Sequence, residues 1–199
     1  MTILGKVALV TGAGRGAGRA AARELGQAGF TVIAIDINPD SAARTAEAIR
    51  QAGGRAEAQA VDVSQKMAVQ TLIYDVLERY PRIDMLVCAA EITPGNSALK
   101  MDEGEWNRTL DVNLKGTFLC AQTVARAMIA ARDAGSPETD GGLIVLVARD
   151  PAVPHAAVRA AREGLRGLAA ALADEWKDSG LRVVALRAGE PVTAAIANS

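Results

Sequence analysis

A chain of 199 residues with half of its side chains hydrophobic and 23% charged is composed like a folded globular protein, and 19 glycines and 7 prolines are too few for a collagen-like or disordered chain. Acids and bases are interspersed and sum to a net charge of −1, so no basic stripe is available for a phosphate backbone and nucleic acid is not an expected partner. The two cysteines, Cys88 and Cys120, each lie in an apolar run, which predicts a reducing compartment, the cytoplasm, rather than a disulfide framework. Neither an export signal nor a membrane span is expected, because no charged leader precedes a long apolar run and no stretch approaches about eighteen uninterrupted apolar residues.

In chain order, short apolar runs with β character alternate with long Ala-rich helical patterns. Strands are predicted at 7–10, 31–35, 56–61, 83–89, 143–148 and 182–186. Helices are predicted at about 16–28, 40–52, 64–80, 102–134 and 155–179, punctuated by Gly29, Gly53-Gly54, Pro81, Gly135 and Gly180. Strict alternation of this kind predicts an α/β fold: a Rossmann-like doubly wound parallel sheet of about six strands with helices on both faces. The reading is of a single domain over 1–199, with a loop at 133–142 and a loosely patterned tail at 188–199.

The sharpest local signal is Thr11-Gly12-Ala13-Gly14-Arg15-Gly16-Ala17-Gly18, set between the first strand and the first helix. A diphosphate approaches backbone closely only where side chains are absent, and the helix that follows supplies N–H donors and the positive end of its dipole. Asp36, at the end of the second strand, stands where a carboxylate accepts hydrogen bonds from an adenosine ribose. The same charge repels a 2′-phosphate, so NAD is favoured over NADP. A solvated strand-end Asp is the plainer alternative.

These residues resemble the short-chain dehydrogenase/reductases, whose dinucleotide loop has the spacing Thr-Gly-x-x-x-Gly-x-Gly. Asp62-Val63 resembles the family's adenine-contacting pair, and Asp111-Val112-Asn113-Leu114-Lys115-Gly116 its Asn-containing helix motif. Gly164 and Gly167-Leu168 match the helix after the family's active-site segment, while 182–185 leading to Gly189 and Thr193 resembles the stretch that meets the nicotinamide amide. The resemblance runs along essentially the whole sequence. It implies cofactor contacts at Gly12, Arg15, Gly16, Ala17, Gly18, Asp36, Asp62, Val63, Ala89, Ala90, Asn113, Arg162 and Thr193. It also implies a substrate lid, a seventh strand and a final helix, for which no pattern is present here.

The departures bear on function. The family's Tyr, Lys and Ser, which move the proton, tune it and orient the carbonyl oxygen, align with Val158, Arg162 and a position near Arg149. Between Leu143 and Leu165 there is no Ser, Thr, Tyr or Lys, and the tyrosines Tyr74 and Tyr80 belong to the third helical stretch. The expectation is a protein that binds NAD(H) without the standard acid/base group, and no catalytic residue is assigned. Arg162 retains the donors to hold ribose hydroxyls, yet it stays charged and cannot serve as a general base. The enzyme alternative is an oxidoreductase with another proton source: His155, the one histidine, or a partner subunit. Asp150 and Glu163 read most simply as solvated charges.

Where the family has Asn-Asn-Ala-Gly, this sequence reads Cys88-Ala89-Ala90-Glu91, placing a negative charge beside an anionic ligand and predicting weakened affinity. Arg149, Arg159, Arg162, Arg166 and Arg187 suggest either an altered pocket for an anion or exposed helix cations. No His/Cys/Asp/Glu cluster has metal-ligand spacing. The apolar faces of the helices at about 113–134 and 155–179 suggest a homodimer or heteromer, or simply burial against the chain's own sheet.

Overall fold

The computed structural model describes residues 5–134, 141–148, 155–186 and 190–197. Six parallel strands form one sheet: β1 (Val7–Thr11), β2 (Thr31–Asp36), β3 (Arg55–Ala60), β4 (Met85–Cys88), β5 (Leu143–Val147) and β6 (Arg182–Leu186), in the order β3-β2-β1-β4-β5-β6. The helices are α1 (Gly16–Gln27), α2 (Pro39–Gln51), α3 (Lys66–Arg79), α4 (Glu103–Leu110), α5 (Thr117–Asp133), α6 (Ala156–Trp176) and α7 (Val192–Ala197). This is the Rossmann-like doubly wound arrangement that the alternation predicts.

Strand periodicity sorts the core into two layers. Val7, Leu9, Leu86, Cys88, Ile144 and Leu146 pack on one face against residues of α3, α5 and α6. Ala8, Val10, Met85, Val87, Leu143 and Val145 pack on the other, against α1, α2 and α7. Neighbours in sequence thus serve opposite cores, which is why the central strands are uninterruptedly apolar.

Four departures from the expected elements have local causes. The fourth strand ends at Cys88, because the N–H groups of Ala89 and Ala90 leave the ladder and donate to Thr11 Oγ1 at 3.1 and 3.3 Å. The helix expected over 102–134 is interrupted by a π-helical turn at Asp111–Gly116, so it is two helices in different phase. The last helix of the expected set ends at Trp176, and a 3₁₀ turn, Lys177–Ser179, leads to Gly180 in the left-handed region, with φ of 69°. The stretch read as a loosely patterned tail contains α7, whose Val192 and Ala195 are buried against the α1 side of the sheet. Among the described residues no helix is long and apolar enough to cross a membrane.

Candidate functional site

The site lies at the C-terminal ends of β1, β2, β4 and β5, where a cavity of about 610 Å³ opens. Its floor is the Gly-rich turn. Gly12 has φ of +64°, and a Cβ there would stand 2.6 Å from the Ala89 carbonyl oxygen. Gly18 is more tightly held: a Cβ would meet the Gly12 carbonyl oxygen at 2.2 Å, so α1 reaches β1 only through glycine. Helix α1 begins with Arg15 at its N-cap, makes no side-chain capping bond and has no acidic residue in its first turn. Its first N–H groups are therefore available to an anion.

Asp36 has two tasks at once. Its Oδ2 accepts the Gly14 N–H at 2.8 Å and its Oδ1 accepts the Asn38 N–H at 3.0 Å, while the side chain lines the cavity. The loop-holding task is not readable from sequence, where Asp36 appears as a ribose acceptor or a solvated strand-end acid. Asp62 lines the same end and accepts Ser64 N–H and Oγ–H at 3.0 and 2.7 Å. Of the other residues expected at the cofactor, Gly12, Arg15, Gly16, Ala17, Val63, Ala89 and Ala90 also line the cavity.

Four expected residues are placed differently: Arg162 lies buried behind Glu91 and does not line the cavity, and Gly18, Asn113 and Thr193 have other tasks. Gly18 does not line the cavity and acts through packing. Asn113, 3% exposed within the π-helical turn, accepts the Ile92 N–H at 2.8 Å and donates to the Ile92 carbonyl at 2.9 Å. It clamps the segment after β4. Thr193, expected near a nicotinamide amide, instead donates its N–H to Glu24 Oε1 at 2.8 Å, and its hydroxyl donates to the same oxygen. Glu24 also takes the Val192 N–H, at 3.1 Å, so one carboxylate holds the start of α7.

At the other end of the cavity, Glu91 and Arg162 meet across 71 positions of sequence. Arg162 Nη2 lies 3.0 Å from both carboxylate oxygens and Nε 3.2 Å from Oε2. The guanidinium is buried, 5% exposed, whereas the Glu91 side chain is 32% exposed and lines the cavity. The charge expected to weaken an anionic ligand is thus matched by a counter-charge behind it. Arg162 Nη1 is buried and has no hydrogen-bond partner.

Val158 is fully buried, and Tyr74 is exposed on α3. Tyr80 donates its hydroxyl to Glu57 at 2.5 Å. His155 is the N-cap residue of α6, with Nε2 2.8 Å from the Asn96 carbonyl oxygen, and it does not line the cavity. Glu163 pairs with Arg166, and Arg159 is exposed on α6. Arg149, Asp150, Arg187 and Gly189 lie outside the described residues. Sequence reasoning missed Ile37, Ser41, Ile92, Thr93, Arg108 and Val147 in the cavity wall. The signal for Arg108 is its place one helical turn before Val112, which also lines the cavity. Among the described residues no three His, Cys, Asp or Glu side chains form a metal-holding group.

The family described as short chain dehydrogenase matches residues 6–199. A short-chain reductase protein NovJ from Streptomyces niveus is 43% identical over 122 residues, covering 61% of this chain and 47% of that protein. D-threitol dehydrogenase from Mycolicibacterium smegmatis is 35% identical over 183 residues, covering 90% of this chain and 67% of that protein. Among solved structures, a metagenomic short-chain oxidoreductase in complex with NADP superposes with a TM-score of 0.83 at 33% identity, covering 94% of this chain and 84% of that one. The alignment to the Streptomyces reductase therefore spans less than half of that relative's length.

Proposed function

The chain belongs to the short-chain dehydrogenase family, an oxidoreductase family that uses NAD(P), and from that premise we propose that it is an NAD(H)-binding member that does not perform the standard carbonyl–alcohol chemistry. The observation that carries this reading is the Glu91–Arg162 ion pair, which occupies the place where the resemblance expects a glycine and the lysine that serves a catalytic tyrosine. Arg162 is spent on Glu91, and Val158, at the tyrosine position, is buried and has no proton to move. On this reading the protein is nucleotide-responsive or partner-binding.

The residues present fit the dinucleotide. The uncapped start of α1 suits a diphosphate, and Asp36 and Asp62 suit the adenosine end. Asp36 favours NAD over NADP because a 2′-phosphate would face its carboxylate. Arg162, which the resemblance places at a ribose, is buried behind Glu91 and does not line the cavity, so on this reading it acts through the Glu91 carboxylate. When bound, NAD would supply a hydride acceptor; in this reading the chain's residues bind and orient it and pass no proton to a substrate.

Titration with NAD and NADH, followed by thermal shift and nicotinamide fluorescence with Asp36→Ala as control, tests the reading. Saturable binding that is lost in the control supports it, and no binding at millimolar cofactor overturns it. A second reading, an oxidoreductase with an unusual proton source, draws on His155, whose Nδ1 is buried without a partner. It requires cofactor turnover that falls in His155→Ala.

Self-association belongs to the same proposal. An open apolar groove between the α4–α5 arm and α6, lined by Leu110, Leu114, Phe118, Leu168 and Ala171, supports a second copy as its occupant. Sedimentation equilibrium of the wild type and Phe118→Glu is the check: a dimer that the substitution breaks is expected, and a monomeric wild type would refute it.

A further inference from the structure

The two halves of the Glu91–Arg162 pair face different surroundings. Arg162 is buried, with 5% of its side chain exposed, while about a third of the Glu91 side chain is exposed and lines the cavity. The pair is neutral in sum, yet what it presents to the cavity is its negative member. Such a dipole attracts a cation, or an N–H donor, in contact with the carboxylate more than it attracts a neutral group.

Topology says which part of a ligand lies there. In the strand order, β2 with Asp36 and β4, which leads to Glu91, flank β1 and its Gly-rich turn. A dinucleotide with one ribose at Asp36 and its diphosphate at the start of α1 runs on across β4, toward Glu91 and Val147. Its second nucleoside therefore falls at the carboxylate. In NAD⁺ that nucleoside carries a cationic pyridinium ring; in NADH the ring is neutral.

Resting on the NAD(H)-binding reading, we infer that Glu91, held from behind by Arg162, makes the site select the oxidised, cationic cofactor over the reduced one, so that occupancy reports the redox state of the nicotinamide pool. The selectivity comes from a residue that the sequence alone presents as an obstacle to binding. The Nη2 contacts at 3.0 Å to both oxygens fix the carboxylate in the wall, so its charge is preorganised and needs no rearrangement when the ring arrives.

The test is calorimetric titration of the full chain with NAD⁺, NADH and ADP-ribose, the last lacking the ring altogether. For the wild type, NAD⁺ is expected to bind about tenfold more tightly than NADH, a difference of about 1.4 kcal/mol. Glu91→Gln removes the charge but strands a buried guanidinium, so the paired variant Glu91→Gln with Arg162→Gln is measured beside it. In the paired variant the NAD⁺ and NADH affinities are expected to converge, while ADP-ribose, which has the second ribose but no ring, measures any change common to all three ligands. Equal or reversed affinities in the wild type, or a preference that survives in the paired variant, would overturn the inference while ADP-ribose binding keeps the nucleotide reading standing. Failure of ADP-ribose to bind the wild type overturns that reading, and this one with it.

Discussion

Glu24 on α1 and Thr193 on α7 are joined across 169 positions: Oε1 accepts the Thr193 N–H at 2.8 Å and Oε2 accepts the Val192 N–H at 3.1 Å. The carboxylate satisfies the first N–H groups of a helix of six residues, too short to be stable by itself. Val192 and Ala195 complete the docking by burying against the core. Glu24→Ala is expected to lower stability by about 2 kcal/mol in urea denaturation, since hydrogen bonds to a charged acceptor are lost. Amide exchange over 192–196 should accelerate well before that of β1. Unchanged exchange there would show that apolar contact alone holds α7.

Gly18 and Gly167 make opposite predictions for the same substitution. At Gly18 an added methyl would lie 2.2 Å from the Gly12 carbonyl oxygen, which is backbone and cannot swing aside. Gly18→Ala is expected to cost about 1–3 kcal/mol and to abolish nucleotide binding by pushing α1 away from the turn. At Gly167, exposed within α6, an added methyl meets nothing within 4 Å. Because Gly167 also lines the groove proposed for a second copy, the substitution is made in Phe118→Glu protein, where Gly167→Ala is expected to gain about 0.5–1 kcal/mol from helix propensity. Thermal denaturation of the two variants side by side is sufficient, and a shift of the same sign in both would contradict the packing argument.

What sequence made legible was local. The apolar runs placed all six strands to within two residues at each end, because strands buried on both faces have no alternative composition, and the glycine turn with Asp36 marked the site. What was not legible depended on partners distant in sequence. Glu91 read as a repulsive intruder and Arg162 as a displaced lysine, since nothing in periodicity couples residues 71 apart. Thr193 matched a motif, yet its donors go to a carboxylate on the first helix. The π-helical turn was hidden for another reason: Asp111–Gly116 carries an ordinary helical pattern, and the change of phase shows only in the structure, where Asn113 within the turn bonds the backbone of Ile92.

Asn113 offers a test of how the cavity wall is held. Its amide both donates to and accepts from the backbone of Ile92, the residue after Glu91, and no apolar side chain can do either. Asn113→Ala leaves the N–H and the carbonyl of half-buried Ile92 without their side-chain partner, and a loss of about 1–3 kcal/mol in chemical denaturation is expected. Asn113→Asp keeps the acceptor but buries a charge and sets an oxygen against the Ile92 carbonyl, so its loss near neutral pH should be at least as large. An alanine variant as stable as the wild type would mean that the segment after β4 is held by other contacts.

The two buried thiols predict an alkaline limit. Burial pushes Cys120 up to about 12, and burial together with the neighbouring Cys120 raises Cys88 well above the usual thiol range. The unfolded chain releases these protons near the ordinary thiol value of about 8.5, while the folded chain keeps them. Between there and about pH 12 the unfolded state binds fewer protons, so stability is fully present below the unfolded value and falls as pH rises. Each thiol contributes a slope of up to about 1.4 kcal/mol per pH unit in that window. Urea midpoints from pH 8 to 10.5 should therefore decline more steeply in the wild type than in Cys88→Ala with Cys120→Ala, after allowing for the lower starting stability of the variant. Equal slopes would show that other groups set the alkaline decline.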